Sequence, residues 1–294
     1  MSEAGRVLII GAGGRMGAAL ARHCAHTHDV IAWRREHLDV MHPENVRAAL
    51  ANLDFSSLIY TAGNTNVDDC EINPQSAAMT NTETPRALAE VCAANGAQFI
   101  HVSTDYVFKG DVPAARSETD PAEPINVYGR SKLEGERAVL AVSPDFLVIR
   151  VSWLFGPDRA SFPDMILRQA IEREHVTAIS DKHACPTYSE DFARWIEPML
   201  GNTNYCGLLH LSNSGATSWQ AYGQATLDIA KQLGIKLKAS VVDPVSRINF
   251  SGFKSLRPEF TAFDTTKYQQ LSGVTPRPWQ EALEEYLRTK YAAR

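Results

Sequence analysis

The chain has 294 residues, of which 44% are apolar and 21% are charged, and its formal net charge is −5. This composition predicts a globular protein with one large or two small domains. It disfavours nucleic acid and membrane as partners, because the chain has no long basic run and no apolar run of about 18 residues. Five scattered cysteines predict reduced thiols in the cytoplasm, and the histidine spacing predicts no bound metal.

Strand and helix signals alternate through the first half of the chain. Short apolar strands are predicted at residues 6–10, 30–33, 57–60, 99–102 and 146–151. Helical spacing between them predicts helices at residues 16–26, 43–52, 74–95 and 126–142. This order predicts an α/β fold with a Rossmann-type, doubly wound parallel sheet and right-handed crossovers.

The alternation becomes less regular after about residue 156. Strands are predicted at residues 176–179, 208–211 and 239–242, and helices at residues 162–174, 188–200, 218–233 and 279–291. We interpret residues 1–155 as a dinucleotide-binding domain and residues 156–294 as a smaller substrate-binding lobe. Some segments of this C-terminal lobe are expected to return to the sheet.

A glycine-rich turn, G-A-G-G-R-M-G at residues 11–17, follows the first predicted strand and begins the first predicted helix. Glycines such as Gly11 and Gly14 let backbone N–H groups approach a pyrophosphate at the helix N-terminus. The turn therefore predicts dinucleotide binding, and the alternative is a turn that is merely flexible.

The end of the second strand distinguishes between the two nicotinamide cofactors. NAD sites usually carry an acidic residue there, whereas this chain has Arg34 and Arg35. Two guanidinium groups suit a 2′-phosphate, so NADPH is favoured and NADH is the second choice. Alternatively, both arginines are simply solvated surface charges.

A Y-x-x-x-K pair, Tyr128 and Lys132, lies in the helix predicted at residues 126–142. The spacing of four places both side chains on one helical face. The attraction of a nearby ammonium is expected to lower the pKa of the phenol by about two units. Thr104 ends the fourth strand, where side chains face the ligand crevice of an α/β sheet.

Longer motifs resemble a known family. They include STDYVF at residues 103–108, NVYGRSKLEGE at residues 126–136 and SWLFG at residues 152–156. The chain resembles the extended short-chain dehydrogenases/reductases, and within them the dTDP-4-dehydrorhamnose reductase family, nearly end to end. The resemblance implies NADPH-dependent reduction of the C4 keto group of a nucleotide-activated deoxysugar.

The resemblance also implies roles for individual residues. Tyr128 would donate a proton to the C4 oxygen, Lys132 would bind the nicotinamide ribose, and Thr104 would bond the carbonyl. Asp105 and Trp153 would contact the sugar. The implied cofactor residues are Gly14, Arg15 and Met16 at the pyrophosphate, Asp39 and Val40 at the adenine, and Gly63, Asn64 and Thr65 along the ribose and nicotinamide side. Arg34 stands where family members that accept NADH carry an acidic residue.

Two alternatives remain. One is a non-catalytic, NADP-binding regulatory subunit that resembles the β subunit of methionine adenosyltransferase. The other is an enzyme for a different sugar nucleotide, because Ser161, Cys185 and Phe260 depart from the family pattern in the substrate half. Trp153 has a simpler interpretation as a core aromatic, and Thr104 and Asp105 as turn caps. We expect a cytoplasmic protein, and a homodimer is one arrangement that the C-terminal helix would allow.

Overall fold

The computed structural model describes residues 5–250 and 252–291. Six parallel strands form its central sheet, in the order β10-β5-β4-β3-β1-β2. These strands are β1 (Val7–Ile10), β2 (Val30–Trp33), β3 (Ser57–Tyr60), β4 (Gln98–Thr104), β5 (Leu147–Val151) and β10 (Gly207–His210). The predicted doubly wound α/β fold is confirmed.

Helices cover both faces of the sheet. In chain order the first six are α1 (Arg15–Cys24), α2 (Val46–Leu50), α3 (Val67–Ile72), α4 (Pro74–Ala78), α5 (Thr84–Asn95) and α6 (Val127–Val142). One apolar core forms between the sheet and α1, and a second forms between the sheet and the face covered by α2, α5 and α6. Burial on both faces explains why the strands are continuous apolar runs.

The remaining elements belong to the second half of the chain. The short strands are β6 (Leu154–Phe155), β7 (Val176–Ile179), β8 (His183–Ala184), β9 (Thr187–Tyr188), β11 (Thr217–Ser218) and β12 (Val242–Val245). The helices are α7 (Phe162–Glu172), α8 (Ser189–Ile196), α9 (Trp219–Gln232), α10 (Thr266–Ser272) and α11 (Trp279–Tyr291). Strand β10 joins the central sheet from this half, and α8 packs in the core beside α1.

Two sequence-based predictions were wrong in detail, and two helices were missed. The helix predicted at residues 74–95 is interrupted by a π-helical segment, Met79–Glu83, between α4 and α5. The strand predicted at 239–242 instead spans Val242–Val245, where it pairs with β7 although it contains Pro244. A two-stranded sheet has only edge strands, and these tolerate proline. Helices α3 and α10 were not predicted.

None of the helices in the described part of the chain is both long enough and apolar enough to cross a bilayer.

Candidate active site

A cavity of about 1180 Å³ lies at the carboxyl ends of β1, β3, β4 and β5. Ligands bind at this edge of open parallel sheets. One end of the cavity is formed by predicted cofactor residues: Gly11, Gly14, Arg15, Met16, Arg34, Arg35, Val40, Gly63 and Thr65. The other end is formed by Thr104, Asp105, Tyr128, Lys132 and Trp153. The fold therefore brings 14 of the 16 predicted site residues to one cavity.

The glycine-rich turn makes close backbone contacts that a side chain would prevent. Gly11 has φ of +101°, and a Cβ there would lie 2.5 Å from Thr61 Oγ1. A Cβ on Gly17 would collide with the carbonyl of Gly11. Gly14 is the N-cap of α1, where no side chain caps the helix and the first turn carries no acidic residue. The N–H groups and helix dipole at this end therefore suit an anion such as a pyrophosphate.

Basic side chains surround this end of the cavity. Arg34 passes beside the glycine turn, since a Cβ on Gly13 would lie 3.7 Å from its Cγ. Arg34 and Arg35 are exposed and line the cavity, as do Arg159 and Glu36. The prediction from sequence overlooked Glu36, one residue past the stretch it considered. An acidic group thus lies beside the two guanidinium groups that were assigned to the 2′-phosphate.

The Arg15 guanidinium is hydrogen-bonded to backbone carbonyls and is not free to bind a ligand in the cavity. It donates hydrogen bonds to the carbonyls of Leu154 and Ala160, at 3.0 and 2.6 Å. Burial lowers the pKa of Arg15. This side chain therefore ties the start of α1 to β6 and to the segment that follows it.

Two predicted cofactor residues, Asp39 and Asn64, do not line the cavity. Asp39 is exposed, and its Oδ1 accepts a hydrogen bond from the backbone N–H of Met41. The Asn64 amide donates to Asp69 Oδ2 at 2.6 Å. Asn64 was expected to present its amide near the nicotinamide, but the structure turns that amide toward α3.

Asn81, in the π-helical segment, lines the cavity and holds the backbone of Asn64. Its side chain accepts from the N–H of Asn64 and donates to the carbonyl of the same residue, both at 3.0 Å. It also donates to Ser131 Oγ of α6. Isolated π-helical turns occur frequently at functional sites, and the sequence pattern did not reveal this one.

Helix α6 presents Tyr128 and Lys132 to the cavity. Asn126 caps its N-terminus by accepting a hydrogen bond from the N–H of Gly129 at 2.8 Å. A Cβ on Gly129 would collide with the carbonyl of Tyr106, so glycine allows the helix to approach the end of β4 closely. The Tyr106 and Tyr128 rings meet edge to face, with centroids 5.5 Å apart.

The sequence-based expectation for the acidity of Tyr128 was wrong. Burial raises the pKa of the Tyr128 phenol, and the neighbouring Thr104 hydroxyl lowers it only in part. The free-energy cost of removing a phenolate from water is larger here than the stabilisation that the Thr104 hydrogen bond provides. Lys132 instead directs its ammonium at β4, where it donates to the carbonyl of Val102 at 2.6 Å. Burial lowers the pKa of Lys132 to about 8.

Asp105 and Thr104 form a buried polar pair at the end of β4. The Thr104 hydroxyl donates to Asp105 Oδ1 at 3.2 Å, and Thr261 donates to Oδ2 at 2.5 Å. Burial raises the pKa of Asp105, and the charge of Lys182 opposes that rise. Lys182, which the sequence did not single out, is fully buried with its Nζ 4.7 Å from the Tyr106 ring centroid.

Trp153 is strained and surrounded by aromatic rings. Its φ of 42° is left-handed, a conformation rare for a bulky residue and common at functional sites. Its ring lies 5.6 Å from Trp219 and 6.4 Å from Tyr222, centroid to centroid. Within the described residues its Nε1 is buried without a hydrogen-bond partner. A smaller cavity of about 140 Å³ lies beside it, lined by Phe162 and other aromatic side chains.

The arrangement combines an anion-binding helix terminus with a hydroxyl, a phenol and an ammonium at the far end of the same cavity. Such groups stabilise charge that develops on a carbonyl oxygen and supply a proton to it. Together the fold and the site define a dinucleotide-dependent carbonyl reductase of the Rossmann class.

Comparisons with known proteins specify the family. Residues 5–292 match the family described as the RmlD substrate binding domain. A dTDP-4-dehydrorhamnose reductase of Aggregatibacter actinomycetemcomitans is 32% identical over 95% of this chain and 97% of the relative. A crystal structure of dTDP-4-dehydrorhamnose reductase from Bacillus anthracis, in complex with NADP, has a TM-score of 0.91 and 29% identity, covering 97% of this chain and 99% of that one.

A third relative has a differently named substrate. It is a probable dTDP-4,6-dihydroxy-2-methyloxan-3-one 4-ketoreductase of Streptomyces antibioticus, 35% identical over 95% of this chain and 94% of the relative. This chain belongs to the RmlD family of extended short-chain dehydrogenases/reductases, which confirms the predicted resemblance.

Proposed function

We propose that this protein is an NADPH-dependent reductase that converts the C4 keto group of dTDP-4-dehydro-L-rhamnose to the hydroxyl of dTDP-L-rhamnose. One observation carries the proposal: Thr104, Tyr128 and Lys132 line one end of the cavity whose other end is the glycine-rich turn. The names of the relatives and the NADP in the Bacillus anthracis structure support this substrate and this cofactor.

The residues at the glycine-rich end fit a dinucleotide. No side chain caps the start of α1, so its N–H groups are available to a pyrophosphate. Gly11 lets the turn pass close to Thr61, where a side chain would collide. Arg34 and Arg35 are proposed to hold the 2′-phosphate of NADPH. Glu36 lies next to them in the chain and also lines the cavity, and its carboxylate would allow NADH to bind as well. Val40, Gly63 and Thr65 complete this wall.

The other end carries the proton chemistry. A bound nicotinamide supplies the hydride. Tyr128 is proposed to donate its proton to the C4 oxygen, since burial keeps its phenol neutral at neutral pH. The Thr104 hydroxyl, beside Tyr128, is proposed to bond the same oxygen, and the Lys132 ammonium to stabilise the resulting phenolate. Asp105 and Trp153 are proposed to hold the sugar.

We also propose the division of the chain into a dinucleotide-binding domain, residues 1–155, and a substrate lobe, residues 156–294. The glycine-rich turn and the Tyr128 helix lie in the first part, and the rings around Trp219 lie in the second. The return of β10 to the central sheet means that the two parts share a core. The homodimer and the cytoplasmic location stay predictions from sequence.

A different dTDP-linked keto sugar is the second candidate substrate. The Streptomyces antibioticus relative, named as a 4-ketoreductase of such a sugar, favours it.

The direct test is NADPH oxidation with dTDP-4-dehydro-L-rhamnose generated in the assay, with NADH in parallel. Turnover above about 1 s⁻¹, an ordinary enzyme rate, supports the proposal. The Tyr128→Phe variant is the matched control, because it keeps the ring and removes the hydroxyl. NADPH binding without turnover on this substrate contradicts it, and the second sugar or a regulatory role then becomes the better interpretation.

A further inference from the structure

A buried carboxylate and a buried guanidinium form an ion pair behind the site. Glu136 of α6 and Arg150 of β5 are each 2% exposed. Arg150 donates from Nε to Glu136 Oε1 at 2.9 Å and from Nη2 to Oε2 at 2.6 Å. Removing two charges from water is costly, and apolar replacements of such pairs are often at least as stable. Stability is therefore a weak explanation for this pair.

Each end of the pair is attached to a segment that carries a site residue. The Ser103 hydroxyl, next to Thr104, donates to Glu136 Oε1 at 2.5 Å. Glu136 follows Lys132 by one helical turn, and Arg150 precedes Trp153 on the segment that leaves β5. One ion pair thus links the end of β4, the site face of α6 and the end of β5.

The guanidinium is enclosed on its other side. It lies over the Phe108 ring, 5.1 Å from the centroid, and its Nη1 is 3.4 Å from His210 Nε2. Burial and the charge of Arg150 lower the pKa of His210 to about 3, so this imidazole is neutral at neutral pH and accepts a hydrogen bond. Arg150 is therefore held in one orientation by Glu136, Phe108 and His210.

We propose that Glu136 and Arg150 are positioning residues for the reduction: their ion pair holds the segments of Thr104, Lys132 and Trp153 in register and keeps a negative charge one turn behind the Lys132 ammonium. Neither residue lines the cavity among the described residues, so both act through the groups that do. The inference rests on the proposed reductase function.

The electrostatic part of the proposal can be measured as the pKa of Lys132. Burial lowers the pKa of Lys132, and Glu136 opposes this effect. Among the described residues, His101 of β4 also faces the ammonium, with its Nε2 3.4 Å away, and Tyr128 lies one turn earlier on the same helix. Arg150 lies behind Glu136. Removing the pair is therefore expected to lower the pKa of Lys132 further, which tests the electrostatic part of the proposal, whereas kcat tests the positioning part.

The test variant is the double substitution Glu136→Gln with Arg150→Met, which removes the carboxylate and the guanidinium of the pair together, so that neither is left without the other. The matched control is Asp191→Asn with Arg277→Met, which removes another carboxylate–guanidinium pair, with contacts at 2.8 and 2.9 Å, neither of whose members lines the cavity. Lys132 is titrated by NMR in uniformly lysine-labelled protein without cofactor, with Lys132→Arg to assign its signal. NADPH affinity and kcat are measured alongside.

We expect the Lys132 pKa of the double variant to fall by roughly half a unit or more. We expect kcat to fall by about tenfold or more, with NADPH affinity within about threefold of wild type and the control unchanged in both. An unchanged Lys132 pKa and kcat overturn the inference. If the double variant does not fold, Glu136→Asp retains the charge and shortens the side chain, and an unaltered kcat in that variant likewise overturns it.

The experiment separates this inference from the proposed function. Wild-type protein without turnover counts against the reductase, whatever the variants do. Wild-type turnover with no effect of the double variant counts against the positioning role alone. The titration of Lys132 requires neither substrate nor cofactor, so it decides the electrostatic part of the inference in both cases.

Discussion

The Lys132 ammonium donates a hydrogen bond to the carbonyl of Val102, with an Nζ–O distance of 2.6 Å. This contact ties the site helix to the strand that ends at Thr104. The Lys132 Nζ also lies 3.4 Å from His101 Nε2, which takes a second of its N–H donors. An ammonium has three N–H donors, so one remains for the cavity that Lys132 lines. Lys132 is thus a link between two elements as well as a charge in the site.

Replacing Lys132 with methionine is expected to stabilise the protein while abolishing activity. The folded-state pKa is about 8 against an ordinary 10.5, so the unfolded chain binds more protons between those values. The cost of the buried charge is therefore present at pH 7 and is lost as pH rises from about 8 to about 10.5. Urea unfolding is expected to show Lys132→Met gaining about 1–3 kcal/mol at pH 7 and less at pH 10. A loss at pH 7 contradicts the buried-charge argument.

Activity is expected to decline on the alkaline side as Lys132 loses its proton. Because burial lowers the pKa of Lys132 to about 8, the decline of kcat is expected near that pH rather than near 10. A pH–rate profile measures it. Lys132→Arg serves as the control. Because a guanidinium stays charged, the residual kcat of this variant is expected to show no decline near pH 8. A wild-type profile that is flat to pH 9 would exclude Lys132 as the titrating group.

The Tyr128→Phe variant is expected to lose at least about 10²-fold in kcat, because the proton donor is removed while the ring stays against Tyr106. NADPH affinity and Tm are expected to remain close to wild type. Stopped assays with long incubation measure the residual rate. Near-wild-type turnover would assign the proton to another group.

The Arg34→Asp variant is expected to shift the preference from NADPH toward NADH, because it removes a guanidinium whose aliphatic stem passes Gly13 and adds repulsion for a phosphate. The ratio of kcat/KM for the two cofactors is the measurement. Arg47→Asp, an exposed change of the same charge on α2, is the matched control. An unchanged ratio in Arg34→Asp would show that Arg34 does not reach the 2′-phosphate.

The Trp153→Ala variant is expected to weaken sugar-nucleotide binding more than NADPH binding, because Trp153 lines the end of the cavity that is proposed to hold the sugar. Trp153→Phe keeps an aromatic face and is expected to lose less. Calorimetry with each ligand separates the two affinities. Equal losses for both ligands would identify Trp153 as a packing residue of the aromatic cluster around Tyr222.

The sequence alone determined the central architecture. The bounds of β2, β3, β7 and α11 agree with the prediction, because apolar runs, turn residues and helical periodicity act over a few neighbouring positions. The glycine-rich turn and the Y-x-x-x-K pair are local motifs as well. Their positions after the strands predicted at which edge of the sheet the cavity lies, because the carboxyl ends of parallel strands share one edge.

Only the tertiary structure decided how the site residues interact. Distant parts of the chain determine the raised pKa of Tyr128, the hydrogen bond from Lys132 to the Val102 carbonyl and the hydrogen bond from Arg15 to β6. Asn64 turns to Asp69 because α3, which the sequence did not predict, supplies a nearby carboxylate. Local patterns specify which elements form, whereas burial and long-range hydrogen bonds set the charge and orientation of each side chain.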